Sequence, residues 1–456
     1  MKKRILPLML AILMLFSLFA LTACGDEETT ADTADTGAAA PPSDDVTVLT
    51  MWSFVETHLE YFYRAADLWN AENPDRQVYI DGEHVPWGQI WENLQMALTV
   101  GEGAPDIIDI EIGQAEMYLN VPQGHVPLLP QNDALAPYLP YLVMARVNPY
   151  TAHGNIYGVC YHIGAVMMFY NQTLFDEADL DWRDIVTWDD FIAMGQLMKE
   201  RTGAYMVAID GNLFGWHPLV AQQHFQYVSE DGVPRLDAPE TIRAMQLLHD
   251  MIYVYGIARV MPGYELDSEE HYAAFNSGES HASLWAPAWF LERFPRVMPD
   301  LQGQLSVGPL PVFEAGNNRS SSAGGTMTAV TNQVAPENAE LALDFVAFAK
   351  GNREAAMMQW TLLGFDPIRW DIFEDPAMLA PSPAVDFFGV EFAQMFFDLL
   401  FEVQAETGAI DEMRPNSFHI REHLIQHVMP ATIRANDQSP ADALAEAQAI
   451  LERELD

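Results

Sequence analysis

An α/β fold built on a parallel sheet is what this chain predicts, and three observations carry that expectation. After residue 45, strand-like and helix-like stretches alternate in the order β-α-β-α-β. Half of the 456 residues are hydrophobic, enough to fill the cores of two or three ordinary domains. A glycine- and serine-rich stretch at 317–326 leads late in the chain into another short apolar run at 327–330.

Residues 46–52, VTVLTMW, place β-branched and apolar side chains in alternation and read as a buried first strand. Helical periodicity then runs from 57 to 73 through Tyr61, Ala65, Leu68 and Trp69 and stops at Asn73-Pro74. A second strand is expected at 78–80, a second helix at 87–100 and a third strand at 107–110, after a Gly/Pro/Asp turn. Ligands of such sheets lie beyond the carboxyl ends of the strands. That rule gathers Trp52, Glu56, Glu111 and Gln114 near one crevice, with Trp87 following the second strand. Further on, residues 155–171 hold two apolar runs parted by Gly164. Thr187 followed by Trp188, Asp189 and Asp190 reads as an N-cap with acids in the first turn of a helix reaching about 201. Helices are also expected at 238–255, 267–276, 339–348 and 418–429, strands at 305–310 and 327–330, and a terminal helix opened by Ser439-Pro440.

Residues 275–289, FNSGESHASLWAPAW, combine a helix end, a glycine stop and a short strand at 281–285. Pro287 breaks that strand, so Trp285 and Trp289 stand at its end on a turn. Large aromatic faces there would make a stacking platform for the apolar face of a ligand. Burial of both rings in the core is the alternative.

The net charge is −43, and only four lysines occur: Lys2, Lys3, Lys199 and Lys350. Without a basic stripe, nucleic acid is excluded as a partner. So acidic a chain suits a salty or alkaline medium, where its self-repulsion is screened. The start is basic through Met1-Lys2-Lys3-Arg4, then apolar to Ala20, then Leu21-Thr22-Ala23-Cys24. This order is a secretory signal over residues 1–23, and the tetrad looks like a bacterial lipobox, which implies cleavage before Cys24 and a lipid on its thiol. Residues 24–45, acidic and rich in Thr and Ala, read as a flexible tether. With Cys24 lipidated, Cys160 has no partner, so no disulfide is expected.

Several stretches together resemble extracellular solute-binding proteins of the maltose-binding type, family 1, the receptors of sugar ABC importers. The stretch 275–289 resembles that family's F-x-x-G-E-x-A, short strand and sugar-stacking Trp; residues 101–108, GEGAPDII, resemble its G-x-G-P-D-I-I. Residues 157–171 resemble its Y-G-x-P…YN crossing, although Cys160 stands where proline is common. Residues 187–191, TWDDF, residues 322–326, SAGGT, and the runs from Pro336, Arg414 and Ser439 follow in the family's order. The resemblance implies a periplasmic-binding-protein-like type II fold: two lobes, each a central β-sheet flanked by helices, with a ligand cleft between them. It implies a first lobe from 46–162 and 327–375 and a second from 163–326 and 376–456, with crossings near 162–166, 322–327 and 373–381. It places Tyr161 and His162 at the junction, makes Trp188 core, and offers Trp216, Arg414 and the backbone of Gly324 and Gly325 to the ligand; Trp360, expected in a loop or helix end past the helix at 339–348, is a further candidate.

The function so implied is a lipid-anchored, extracytoplasmic receptor that binds a carbohydrate, most simply an oligosaccharide, and delivers it to transmembrane permease subunits. A monomer without cofactor or metal is expected, and no enzyme. No G-x-S-x-G or H-E-x-x-H occurs, and carboxylates are too abundant for their spacing to signal a glycosidase pair. His419, His423 and His427 recur at helical spacing, a weak metal signal on a partly exposed face. An exported glycan hydrolase or lyase, or an adhesin without a small ligand, are the alternatives.

Overall fold

The computed structural model describes residues 46–277, 281–403 and 413–455. The expected signal segment, the tether and Cys24 lie outside the described residues, as does the expected glycine stop at 278.

The chain opens with β1 (Thr47–Ser53), α1 (Glu56–Glu72), β2 (Val78–His84), α2 (Trp87–Val100), β3 (Ile107–Glu111) and α3 (Ile112–Leu119). β1 pairs in parallel with both β2 and β3, the expected β-α-β-α-β unit. β2 runs four residues beyond its apolar start, because Asp81-Gly82 continues the strand at the sheet edge instead of turning. After β4 (Val159–Cys160) the chain leaves this sheet. A second sheet follows: β5 (Val166–Asn171), β6 (Tyr205–Ile209) after α4 (Trp188–Thr202), β7 (Ala258–Val260) after α5 (Pro239–Tyr253), β8 (His281–Pro287) and β9 (Leu305–Gly308). Thr187 caps α4 in a reciprocal capping box with Asp190. The chain then returns, and β10 (Thr326–Val330) inserts antiparallel between β3 and β4. The two five-stranded sheets run β2-β1-β3-β10-β4 and β9-β5-β8-β6-β7.

β3, β5, β8 and β10 are covered on both faces and buried along nearly their whole length, whereas β1 alternates and β2, at the sheet edge, turns polar in its second half. In the first lobe Leu49, Met51 and Ile107 pack on α1 and on α6 (Ala339–Gly351), whereas Ile108, Ile110 and Met327 pack on α2 and α3. After α7 (Arg353–Thr361) comes α8 (Val390–Val403), whose Phe392, Phe396 and Leu400 meet Met167 and Phe169 on one face of the second sheet. On its other face Val166 and Met168 share a cluster with α4, α5, α9 (Ser417–His423) and α10 (Pro440–Leu455). Phe365 and Ile368 pack in first-lobe clusters, while Ile372 and Phe373 pack in the second lobe. Ala356 and Trp360, earlier in the chain, also pack in the second-lobe cluster, so the stretch 356–373 lies against both lobes. The helix expected at 418–429 is α9 followed by wider π-type turns at Leu424–Val428 and Pro430–Arg434. Pro430 has no N–H to donate, which favours such a widening.

Candidate functional site

The first-lobe wall of the cleft is built by strand ends. The parallel register of β1 and β2 sets Ser53 beside His84 and so brings the residues that follow them together. Phe54 meets Trp87 edge to face at 4.9 Å, and Trp91, one turn further along α2, lies 5.1 Å from Trp87 and 5.4 Å from Phe54. Trp87 opens its helix and is 47% exposed. Trp52, Phe54 and Trp91 are half-buried, and Glu56 is exposed. At the end of β3, the Glu111 carboxylate accepts the Gly113 N–H at 2.8 Å and caps α3, whose Gln114 is buried.

The floor consists of the three passages between lobes, held to one another by main-chain bonds. Val166 donates to the Ser321 carbonyl, Ala323 to Gly164, and Ile163 to Asp366. Gly324 and Gly325 have φ of 67° and 142°. The Arg146 guanidinium donates to the Gly324 carbonyl at 2.5 Å and lies where a Cβ on residue 325 would stand, so glycine is required there. His162 and Asp366 are buried with side chains 4.0 Å apart. Burial pulls His162 well below its usual range and pushes Asp366 up to about 7, so the two face each other as neutral groups below that pH rather than as an ion pair.

The second-lobe wall meets this floor through Trp289, in the turn after β8. Its indole N–H donates to the Ala323 carbonyl at 3.2 Å, its ring lies 5.8 Å from Phe214, and it packs against apolar side chains of both lobes. From α9, Arg421 reaches to 3.9 Å from the Glu111 carboxylate, and the Phe418 N–H bonds to Glu116 of α3 at 2.8 Å.

Two sheet lobes crossed three times, with aromatic strand ends facing one cleft, match a known family. Residues 56–356 match the family model described as bacterial extracellular solute-binding protein. The chain belongs to that family. This solute-binding protein is 37% identical over 412 residues, 90% of each chain, to an arabinooligosaccharide-binding protein of Halalkalibacterium halodurans. It is 33% identical over 365 residues, 80% of this chain and 82% of the other, to an arabinooligosaccharide-binding protein of Bacillus subtilis. Maltose-bound MalE3 of T. maritima superposes with a TM-score of 0.69 at 18% identity, covering 89% of this chain and 99% of that one. The binding protein of B. animalis subsp. lactis Bl-04 in complex with β-1,6-galactobiose gives 0.69 at 18%, covering 89% and 97%. These structures establish the fold. No helix among the described residues is long and apolar enough to cross a membrane.

Within the solute-binding protein, several side chains expected at the ligand serve the core instead. Trp285 is 4% exposed, with its ring 5.6 Å from Trp188 and near Phe191; β8 is buried on both faces, so its tryptophan points under a helix and forms no open platform. Trp216 is fully buried and donates to the Thr241 carbonyl. Trp360 is equally buried, stacked on Phe396 at 5.3 Å and bonded to the Met378 carbonyl. The Tyr161 hydroxyl donates to Asp109 inside the first lobe; Arg414, by contrast, is half-buried and donates to the Val228 carbonyl. Trp52, Trp87, Glu56, Glu111, Gln114, His162, Trp289, Gly324 and Gly325 stand at the strand ends and crossings. Sequence reasoning missed Phe54, Phe214, Glu116 and Arg421. The strand-end rule that selected Trp52 and Glu56 reaches Phe54 too, whereas Glu116 and Arg421 carry no local signal.

Proposed function

We propose that this protein captures an arabinose-containing oligosaccharide between its lobes and hands it to the membrane permease of an ABC importer. The observation that carries the reading is the 37% identity, spread over 90% of both chains, to an arabinooligosaccharide-binding protein. The geometry supports it. A sugar offers a C–H face and a ring of hydroxyls, and needs flat aromatic surface beside polar groups. The Phe54–Trp87–Trp91 corner offers the surface, and Glu56, Glu111 and Gln114 at neighbouring strand ends offer the polar groups. Trp289 at the junction would meet the ligand as the lobes close. In this reading the first lobe is 46–162 with 327–375, and the second is 163–326 with 376–456. A lipid on Cys24, an extracytoplasmic tether and a monomeric receptor complete the proposal.

A hydrolytic role has one superficial support, since Ser53, His58 and Asp109 lie together. Their geometry is wrong for it. All three are buried, and the Ser53 hydroxyl donates to Asp109 at 2.7 Å rather than to the imidazole. Asp109 also takes His58 at 2.9 Å, Thr328 at 2.6 Å and the Tyr161 hydroxyl. Burial alone would raise its pKa, but the His58 hydrogen bond and charge outweigh that and hold it low. The trio thus ties β1, α1 and β3 together, and Thr328 adds β10.

Titration calorimetry with arabino-, xylo-, malto- and galacto-oligosaccharides tests the proposal, with chromatography of the same mixtures for cleavage products. Tight binding of the arabinose series with the sugars recovered intact is expected. Binding to none of them, or release of shorter sugars, overturns it. Replacing Cys24 by Ser should release the protein into the medium; retention on membranes would refute the anchor.

A further inference from the structure

The amino terminus of α9 is capped from the other lobe. The residue ahead of a helix ordinarily turns a side-chain oxygen onto the N–H of the second or third helical residue. Asn416 does not: its φ is 65°, its side chain makes no cap bond, and its amide donates instead to the Gly232 carbonyl at 3.0 Å. The N–H of Phe418, the second residue of α9, is taken by the Glu116 carboxylate of α3 at 2.8 Å. Glu116 is 8% exposed, and its other oxygen accepts the Asn120 amide at 3.3 Å, so the carboxylate is fixed by the first lobe before it reaches the second. A negative charge at a helix amino terminus is favoured by the helix dipole as well as by the hydrogen bond. Beside it, the Arg421 guanidinium lies against Gly113, where a Cβ would overlap it, and within 3.9 Å of Glu111. Two side chains of α3's edge, Glu111 and Glu116, thus grip two positions one turn apart on α9.

We propose that Glu116 is a latch between the lobes that sets the balance between their parted and closed forms. This rests on the reading that the lobes part to admit a ligand. A latch of this kind acts on every ligand equally, because it changes the fraction of molecules in the binding-competent form and not the contacts of the bound molecule. Glu116 is therefore a positioning residue for the lobes and not a ligand contact.

The test is Glu116→Gln, which keeps the shape and the acceptor but removes the charge. Small-angle scattering of the sugar-free protein and calorimetry across a series of arabino-oligosaccharides are measured on parent and variant, with thermal unfolding checking that both are folded. If parted molecules dominate without sugar, every affinity should fall by one common factor of about 5 to 10. If closed molecules dominate, the radius of gyration of the sugar-free variant should rise above the parent's. Either result supports the latch. Affinities that fall for some oligosaccharides and not others, at unchanged radius, would make Glu116 a ligand contact and overturn it, as would no change in either measurement. Should the parent bind no sugar at all, the receptor reading fails by itself while the scattering still decides the latch: a compact parent with a larger variant supports it, and a compact parent with an unchanged variant, or a parent already parted, refutes it.

Discussion

The two walls of the cleft use aromatic residues in opposite ways. On the first-lobe wall Trp87 meets Phe54 and Trp91 edge to face, and ring surface is left open. On the second-lobe side Trp289 and Phe214 stay half-buried, while Trp216 and Trp285, just as prominent in the sequence, are sealed beneath helices. The difference lies in backbone position. Trp87 opens a helix just past a strand end, where one side of the ring has nothing above it. Trp285 sits within a strand that is buried on both faces, two residues before that strand stops. A tryptophan near a cleft is therefore informative only once its place along the element is known.

Substitutions can break or sharpen that contrast. The largest effect is expected from Trp285→Ala, which removes a ring packed on Trp188 and Phe191. About 3–5 kcal/mol of unfolding free energy should be lost in denaturant titrations, with sugar affinity of the folded fraction little changed. Retained stability with lost affinity would move Trp285 from the core to the ligand.

Next comes the floor between the walls. The folded protein keeps a proton on Asp366 up to pH about 7, whereas an unfolded carboxyl releases it near 4. Between those values the folded state binds more protons, so this group's contribution to stability is present at low pH and is lost as pH rises through 7. Asp366→Asn, which cannot ionise, should lose less stability than the parent between pH 5 and 8, by on the order of 2 kcal/mol. Parallel melting curves for parent and variant would show the carboxyl solvated and unshifted.

The smallest effect is expected on the open wall. Trp87→Ala should leave stability within about 1 kcal/mol and cost roughly 1 kcal/mol of oligosaccharide binding, about fivefold in Kd. Unaltered calorimetric affinity would remove Trp87 from the site.

The β-α-β-α-β opening was legible to within a few residues because alternating and helical apolar periods are local properties of the chain. Thr187 and Asp190 likewise declare the start of α4 through a reciprocal bond three residues apart. The site was read less well. Burial of Trp216 under Thr241, or of Trp360 on Phe396, depends on segments tens of residues away, which no local window contains. The cap on Phe418 comes from a residue 302 positions earlier. Strand ends could be located from sequence, and with them Trp52, Glu56, Trp87 and Glu111. Which rings the later helices would cover could not.

The insertion of β10 between β3 and β4 has a consequence for how the chain acquires its shape. Thr326 lies opposite Glu111 and Val330 opposite Ile107, so the centre of the first sheet is closed by residues more than two hundred positions downstream. Until they arrive, β3 has one bare edge and β4 has no neighbour. Pairings so distant in sequence are slow to form, and an open edge invites wrong partners while it waits. Amide protons of 107–111 and 326–330 should therefore become protected together during refolding, late and in one step; earlier protection of 107–111 alone would show that the edge finds another cover. The lobe that begins first is thereby bound to finish only after most of the other has been made.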